Sequence, residues 1–173
     1  MAPDPHQNVE GRRPLAIVDI DGVVADVRHR LHHVERRPKD WDAFFAAADR
    51  DPPHPEGLAV VGRLAEDHEI VFVTGRPAWL RAATEAWLDA NGLGGHELHM
   101  RSSRDRAPAR VVKPQLVARL AAGREVGVVV DDDAEVLDAM RARGWPVFHA
   151  DWERRAPDED ATLHEAQEAD GRT

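Results

Sequence analysis

Asp19 and Asp21 stand directly after the apolar run Leu15-Ala16-Ile17-Val18, and Asp131 and Asp132 directly after Val128-Val129-Val130. Each run is short and rich in β-branched residues, the pattern of a strand covered on both faces in a parallel sheet. Both acidic pairs therefore fall at the carboxyl ends of strands, the edge at which open α/β sheets bind ligands. Carboxylates 4 Å apart repel by roughly 4 kcal/mol per pair at an effective dielectric near 20, so a partner charge must hold them together. A hard divalent cation with oxygen ligands supplies it. The chemistry such an arrangement suits is phosphate transfer.

The elements that must position these acids alternate along the chain. Leu15 to Ile20 reads as a first strand, and Asp40 as the cap of a helix carrying Trp41, Phe44, Phe45 and Ala48, which Asp51-Pro52-Pro53 breaks. A second helix is expected from about Glu56 to Asp67, then a strand from Ile70 to Val73. Pro77 suits the first turn of a third helix, which carries Trp79, Leu80, Trp87 and Leu88 and is closed by Asn91-Gly92. Glu97 to Met100 is a weaker strand, followed by a basic loop and a helix from about Pro114. Val126 to Val130 is a strand, Asp133 the cap of a helix that Gly144 ends, and Pro146 to His149 the last strand. Such alternation means right-handed β-α-β units around a parallel sheet. The segment from about 25 to 55 is too long for a simple connection, and insertions beside a ligand edge are usually lids or binding loops.

A chain of 173 residues builds one domain with a proper core. Its 23 Lys and Arg against 32 Asp and Glu give a net charge of −9, which argues against a blanket nucleic-acid coat or an anionic membrane partner. The absence of cysteine excludes disulfides, thiolate catalysis and cysteine zinc sites. No stretch approaches membrane-span length and the polar N-terminus lacks a signal peptide's apolar centre, so the expectation is a cytoplasmic protein.

Asp19-Ile20-Asp21-Gly22-Val23-Val24, Val73-Thr74-Gly75-Arg76, Lys113 and Val130-Asp131-Asp132 resemble, in order and approximate spacing, the four motifs of the haloacid dehalogenase (HAD) superfamily. Within it, Met100-Arg101, the arginine-rich stretch after it, Val111-Val112-Lys113 and Thr74-Gly75-Arg76 look most like the phosphatase domain of bacteriophage polynucleotide kinase. The resemblance implies an α/β fold, a Rossmann-like three-layer sandwich with a central parallel sheet and a small cap inserted after the first strand. Residues 1–13 would be a flexible N-terminus, 14–153 the phosphatase domain with its insertion over about 25–55, and 154–173 an acidic, flexible tail.

The resemblance also implies roles. Asp19 would be the nucleophile that forms an aspartyl phosphate, splitting one hard step into two. Asp21 would protonate the leaving oxygen and later deprotonate the water. Thr74 would hydrogen-bond a phosphoryl oxygen, and Lys113 would neutralise charge on the phosphate and on Asp19. Gly22, and Gly75 with Arg76, would lie against the phosphate, and Arg28, Arg101 and Arg106 would contact it from the loops. Asp19, Asp21 through its carbonyl, Asp131 and Asp132 would hold magnesium. Asp133 is assigned to capping; the phage enzyme carries arginine there.

Read without their partners, these motifs say less. Asp-x-Asp-Gly is an ordinary turn sequence, and Lys113 an ordinary helix-start lysine. The insertion carries Arg28, His29, Arg30, His32, His33, Arg36 and Arg37, and the loop before Lys113 adds Arg101, Arg104, Arg106 and Arg110. Two basic clusters flanking one edge make a mouth for a polyanion, or else a solvated charged surface. A terminal 3′-phosphate on a nucleotide or a DNA or RNA end is the substrate the resemblance implies. No Gly-x-x-x-x-Gly-Lys-Ser/Thr is present, so the expectation is a stand-alone phosphatase with a separate kinase or ligase as partner. Two alternatives stay open: the same chemistry on a small phosphorylated metabolite, and a non-catalytic nucleic-acid-binding module. Trp41 and Phe44 suit helix packing better than base stacking.

Overall fold

The computed structural model describes residues 12–105 and 107–152. Five parallel strands form one sheet in the order β3-β2-β1-β4-β5: β1 (Leu15–Val18), β2 (Glu69–Pro77), β3 (Glu97–Arg101), β4 (Val126–Asp131) and β5 (Val147–His149). The apolar runs alternate between its faces, as the period of two requires. Ala16, Val18, Ile70, Phe72 and Val130 face one core layer, which also holds Val60, Val61, Trp87 and Leu88 of α3 (Pro55–Leu64) and α4 (Arg81–Ala90). Leu15, Ile17, Val71, Val73 and Val129 face the other, filled by Val117, Val136 and Met140 of α5 (Ala109–Leu120) and α6 (Ala134–Arg141). Helices on both faces make the three layers, in agreement with the α/β expectation.

The insertion folds as a small cap on the first of these layers. It contains α1 (His32–Glu35) and α2 (Trp41–Ala46), with single 3-10 turns at Arg28–Arg30 and Ala48–Arg50. Its two ends are tied together: the Asp26 amide donates to the Pro52 carbonyl and the His54 amide to the Val24 carbonyl. Leu31, Val34, Trp41, Phe44 and Phe45 are buried in the same cluster as β1 and β2, so the cap shares the main core. Trp41 and Phe44 are thus packing residues.

Two helix starts differ from expectation, and each involves a proline. Pro77 belongs to β2, where it pairs with Arg101, and α4 begins only at Arg81 after a 3-10 turn at Ala78–Leu80. Pro114 lies inside α5, which starts at Ala109 because the Val111 and Val112 amides already bond to the Pro108 carbonyl. Proline at a first helical position does occur in α3, where Pro55 opens the helix one residue before Glu56. Asp40 caps α2 through the Ala43 amide, and Asp133 caps α6 through the Glu135 and Val136 amides, as their types suggested.

Candidate active site

Strand register brings the two acidic pairs together. Val18 pairs with Phe72 on one side and Val130 on the other, so Asp19 and Asp131 emerge one step later on adjacent strands. The Asp19 amide extends the ladder by bonding to the Val130 carbonyl at 3.0 Å. Adjacent strands lie ~4.8 Å apart, so side chains at one level are close neighbours. Lys113, reaching over from the second turn of α5, separates them: its Nζ is 2.9 Å from Asp19 Oδ2 and 2.7 Å from Asp131 Oδ2. The early start of α5 makes this lysine a helical side chain aimed at the strand ends, not the flank of a loop.

Chain direction turns sharply after Asp19. Three amides, of Val23, Val24 and Ala25, converge on the Ile20 carbonyl. Gly22 takes φ +77°, a conformation side chains disfavour, and a Cβ there would stand 2.2 Å from Asp132 Oδ2. Glycine at 22 thus suits both the positive φ and the close Asp132 carboxylate, reasons separate from any approach to phosphate. Asp131 is steadied from the other side, its Oδ1 accepting the Asp133 amide at 3.0 Å.

Asp19, Asp131 and Asp132 each place a carboxylate oxygen within 4.8 Å of the others. Asp19 Oδ1 is buried and has no hydrogen-bond partner among the described residues. Three carboxylates against the one Lys113 ammonium leave a formal charge of −2, the charge one divalent cation cancels. Clustered hard oxygens with an orphaned buried one fit such an ion. The Asp21 side chain stays outside this group, so the metal role implied for Asp21 rests on its carbonyl alone. Electrostatics follow the excess charge. Burial pushes Asp19 well above the ordinary carboxylate range, with Lys113 opposing and Asp131 and Asp132 reinforcing. Burial likewise pushes Asp131 up to about 6 against the pull of Lys113. Lys113 is held protonated, its burial outweighed by Asp131 and Asp19.

Asp21 occupies the opposite kind of environment. Its Oδ1 accepts from Arg76 Nε at 2.8 Å, Arg76 Nη2 at 2.6 Å and Arg30 Nη2 at 2.9 Å, while Oδ2 is buried without a partner among the described residues. Burial raises this carboxyl, but Arg30 and then Arg76 outweigh it and hold it well below the usual range. Arg76 comes within reach because β2 and β3 lose register between Thr74 and Pro77, so Gly75 and Arg76 form a bulge, and bulges redirect side chains. Thr74 is buried beside it; its Oγ1 accepts the Arg76 amide at 3.2 Å and its hydroxyl proton remains to donate.

Arg30 and Asp51 are the residues sequence reasoning did not single out. Arg30, fully buried, stacks over the Phe44 ring at 4.2 Å and bonds Asp51 Oδ1 and Oδ2 at 2.8 Å each. Arg76 Nη2 shares Asp51 Oδ2 at 2.7 Å, and His29 Nε2 lies 2.8 Å from Oδ1. Two carboxylates thus sit between two guanidinium groups. Arg30 is one of the basic cluster of the insertion; it faces inward, not outward toward a polyanion. Arg28 is exposed and paired with Asp26. Arg101 is buried, its Nη2 donating to the Ala107 carbonyl at 2.7 Å. Arg106 lies outside the described residues, as do residues 1–11 and the tail from 153. Among the described residues no helix is long and apolar enough to cross a membrane.

Over residues 14–153 the chain matches the family described as the polynucleotide kinase PNKP phosphatase domain. No curated protein sequence matches it. Among solved structures it is similar to a chain of the Pnkp1/Rnl/Hen1 RNA repair complex, at 22% identity and a TM-score of 0.65, covering 79% of this chain and 42% of that one. It is also similar to a class C acid phosphatase from Bacillus anthracis with tungstate bound, at 12% identity, TM-score 0.57 and coverage of 91% and 81%. A HAD-hydrolase from Bacillus subtilis bound to magnesium aligns at 9% identity, TM-score 0.58 and coverage of 89% and 99%. At such identities these likenesses show the fold. This chain spans less than half the length of the repair-complex chains. The family match covers every motif of the site, and the chain belongs to the family of PNKP phosphatase domains, HAD-type phosphatases.

Proposed function

We propose that the protein removes a terminal 3′-phosphate from a DNA or RNA end, with magnesium as cofactor and Asp19 as nucleophile. The observation that carries the chemistry is the division of labour between Asp19 and Asp21, two residues apart on one turn. Asp19 lies against Lys113 and the acidic cluster; Asp21 lies against Arg30 and Arg76.

In this reading Asp19 attacks phosphorus and the bond from phosphorus to the sugar oxygen breaks. A proton carried on Asp21 passes to that oxygen. Oδ2 is the oxygen suited to carry it, because Oδ1 is fixed by three guanidinium N–H contacts. Water then attacks the aspartyl phosphate, Asp21 takes its proton, and phosphate leaves with Asp19 regenerated. Thr74 donates to a phosphoryl oxygen. Lys113 balances charge between Asp19 and Asp131. Asp19, Asp131, Asp132 and the Asp21 carbonyl would hold magnesium, which supplies charge neutralisation on the phosphoryl oxygens.

The substrate reading is supported by the family and by the exposed arginines at the same edge, among them Arg104, Arg110 and Arg28. The other steps of end repair, a kinase or a ligase, would fall to a separate partner. The experiment is phosphate release with magnesium from short DNA and RNA carrying a 3′- or a 5′-phosphate, beside mononucleotides and an aryl phosphate, with Asp19→Asn as control. Selective release from 3′ ends is expected. Release from the small esters alone would keep the mechanism and remove nucleic acid from it.

A further inference from the structure

Among the described residues three large apolar side chains are exposed: Trp79 at 55%, Phe148 at 45% and Val111 at 41%. Phe148 lies on the edge strand β5 and its ring meets Trp152, 6.2 Å away. Trp79 is placed differently. It stands on the 3-10 turn that directly follows β2, three residues beyond Arg76, whose guanidinium is 2.6 Å from Asp21. Three residues span at most about 11 Å, so the indole belongs to the reacting edge.

Its surroundings are those of a prepared surface. Trp79 meets Phe45 of the cap edge-to-face, with centroids 6.4 Å apart and planes at 90°. Phe45 in turn packs on Phe44 at 5.4 Å and Trp41 at 5.8 Å, and Phe44 carries Arg30 over its ring. The cap thereby braces one side of the indole and leaves more than half of the residue in water. On the neighbouring strand Pro77 pairs with Arg101, so the basic loop after β3, with Arg104 exposed, runs alongside. An exposed aromatic ring on the sheet edge that carries the acidic cluster, with a basic loop following the neighbouring strand, offers the two elements by which single strands are gripped: rings stack bases while cations track the backbone.

We propose that Trp79 is the platform of a nucleobase subsite, its open face stacking a base at the phosphorylated strand end while Asp19 engages the terminal phosphate. This rests on the nucleic-acid reading above. The subsite is tolerant of sequence, because every base has a π-face.

The test compares the parent with Trp79→Ala and Trp79→Phe on a 3′-phosphorylated oligonucleotide, the same oligonucleotide abasic at its last two positions, and an aryl phosphate. Trp79→Ala is expected to raise KM for the oligonucleotide by about 5–150-fold, the equivalent of ~1–3 kcal/mol of stacking, with kcat little changed. Trp79→Phe should keep most of the affinity. Abasic ends should raise KM for the parent and show no further penalty in Trp79→Ala. Aryl phosphate kinetics should not change, which excludes a general folding defect. An unchanged oligonucleotide KM in Trp79→Ala, or penalties that simply add, overturns the subsite and returns the ring to a protein contact. A parent enzyme that releases aryl phosphate but none from any oligonucleotide overturns the nucleic-acid reading itself, and the subsite with it.

Discussion

Asp51→Asn probes the ionic group that ties the cap to the reacting edge. The Asp51 side chain has no solvent exposure and accepts three guanidinium contacts, at 2.8, 2.8 and 2.7 Å. With Asp21, Arg30 and Arg76 it forms a group whose formal charges cancel. Asparagine leaves one positive charge uncompensated between guanidinium groups that are 0 and 1% exposed. Its amide also presents N–H donors where only acceptors fit. Breaking a buried pair in this way costs about 3–5 kcal/mol. For a chain of this size each kcal/mol moves Tm by about 2–4 °C, so Tm should fall by roughly 6–20 °C. Circular dichroism melts and urea unfolding measure it. The companion variant Asp51→Leu with Arg30→Met removes one charge of each sign and keeps the volume apolar, so it should recover much of the lost stability. It should not recover phosphate release, because Arg30 no longer meets Asp21. A melting point for Asp51→Asn within about 2 °C of the parent, below the shift of a single kcal/mol, would refute the argument. So would a double variant no more stable than the single one.

Asp19→Asn should abolish turnover while the far-ultraviolet spectrum and melting curve stay those of a folded protein; measurable phosphate release from pure variant would remove Asp19 from the nucleophile's place. Gly22→Ala puts a methyl 2.2 Å from Asp132 Oδ2 at a φ of +77°, so the Asp132 carboxylate must shift from its place in the acidic cluster. The magnesium concentration for half-maximal activity should rise, and an unchanged value would mean that Asp132 does not ligate. The metal-free protein should lose stability as pH rises. Asp19 and Asp131 are both raised by burial, Asp131 to about 6, so the stability they contribute is whole below their unfolded value near 3.8 and is lost as pH rises, for Asp131 through about pH 6. Asp21, held low by Arg30 and Arg76 despite its burial, adds no slope in that window, since it is ionised both folded and unfolded there. Melts from pH 4.5 to 7.5 in chelator, with Asp131→Asn as reference, should show the slope, and added magnesium should flatten it.

Much of this fold was readable because buried parallel strands are short, apolar and followed at once by their functional residues. Val18-Asp19 and Val130-Asp131 carry strand end and site in adjacent letters. Helix starts were harder. Proline sets φ but does not say which helical position it fills, and Pro77 and Pro114 fill none at a first turn. The Arg30–Asp51 pair was beyond reach for a different reason. Its members are 21 residues apart on an insertion without periodicity, and their meeting depends on how that insertion closes on Val24 and Asp26. The one available signal was an Asp preceding Pro52-Pro53, which also reads as an ordinary turn.

The resting charges of the site run opposite to the roles assigned. A nucleophile must be ionised, yet Asp19 is the carboxyl pushed up; a general acid must carry a proton, yet Asp21 is the one held down. The surplus charge on each side resolves this. Asp19 shares a group of net charge −2, and a dication placed there favours its carboxylate. Asp21 is held ionised by Arg30 and Arg76, and in the proposed reaction the like charge of a phosphate dianion brought beside it would favour its protonated form. Asp51, which accepts from both arginines, would then keep them in place while Asp21 changes state in the proposed reaction. In the proposed reaction the dication and the phosphate would therefore each move one carboxyl toward its working form, and with either one missing the pair would stay mismatched to that chemistry.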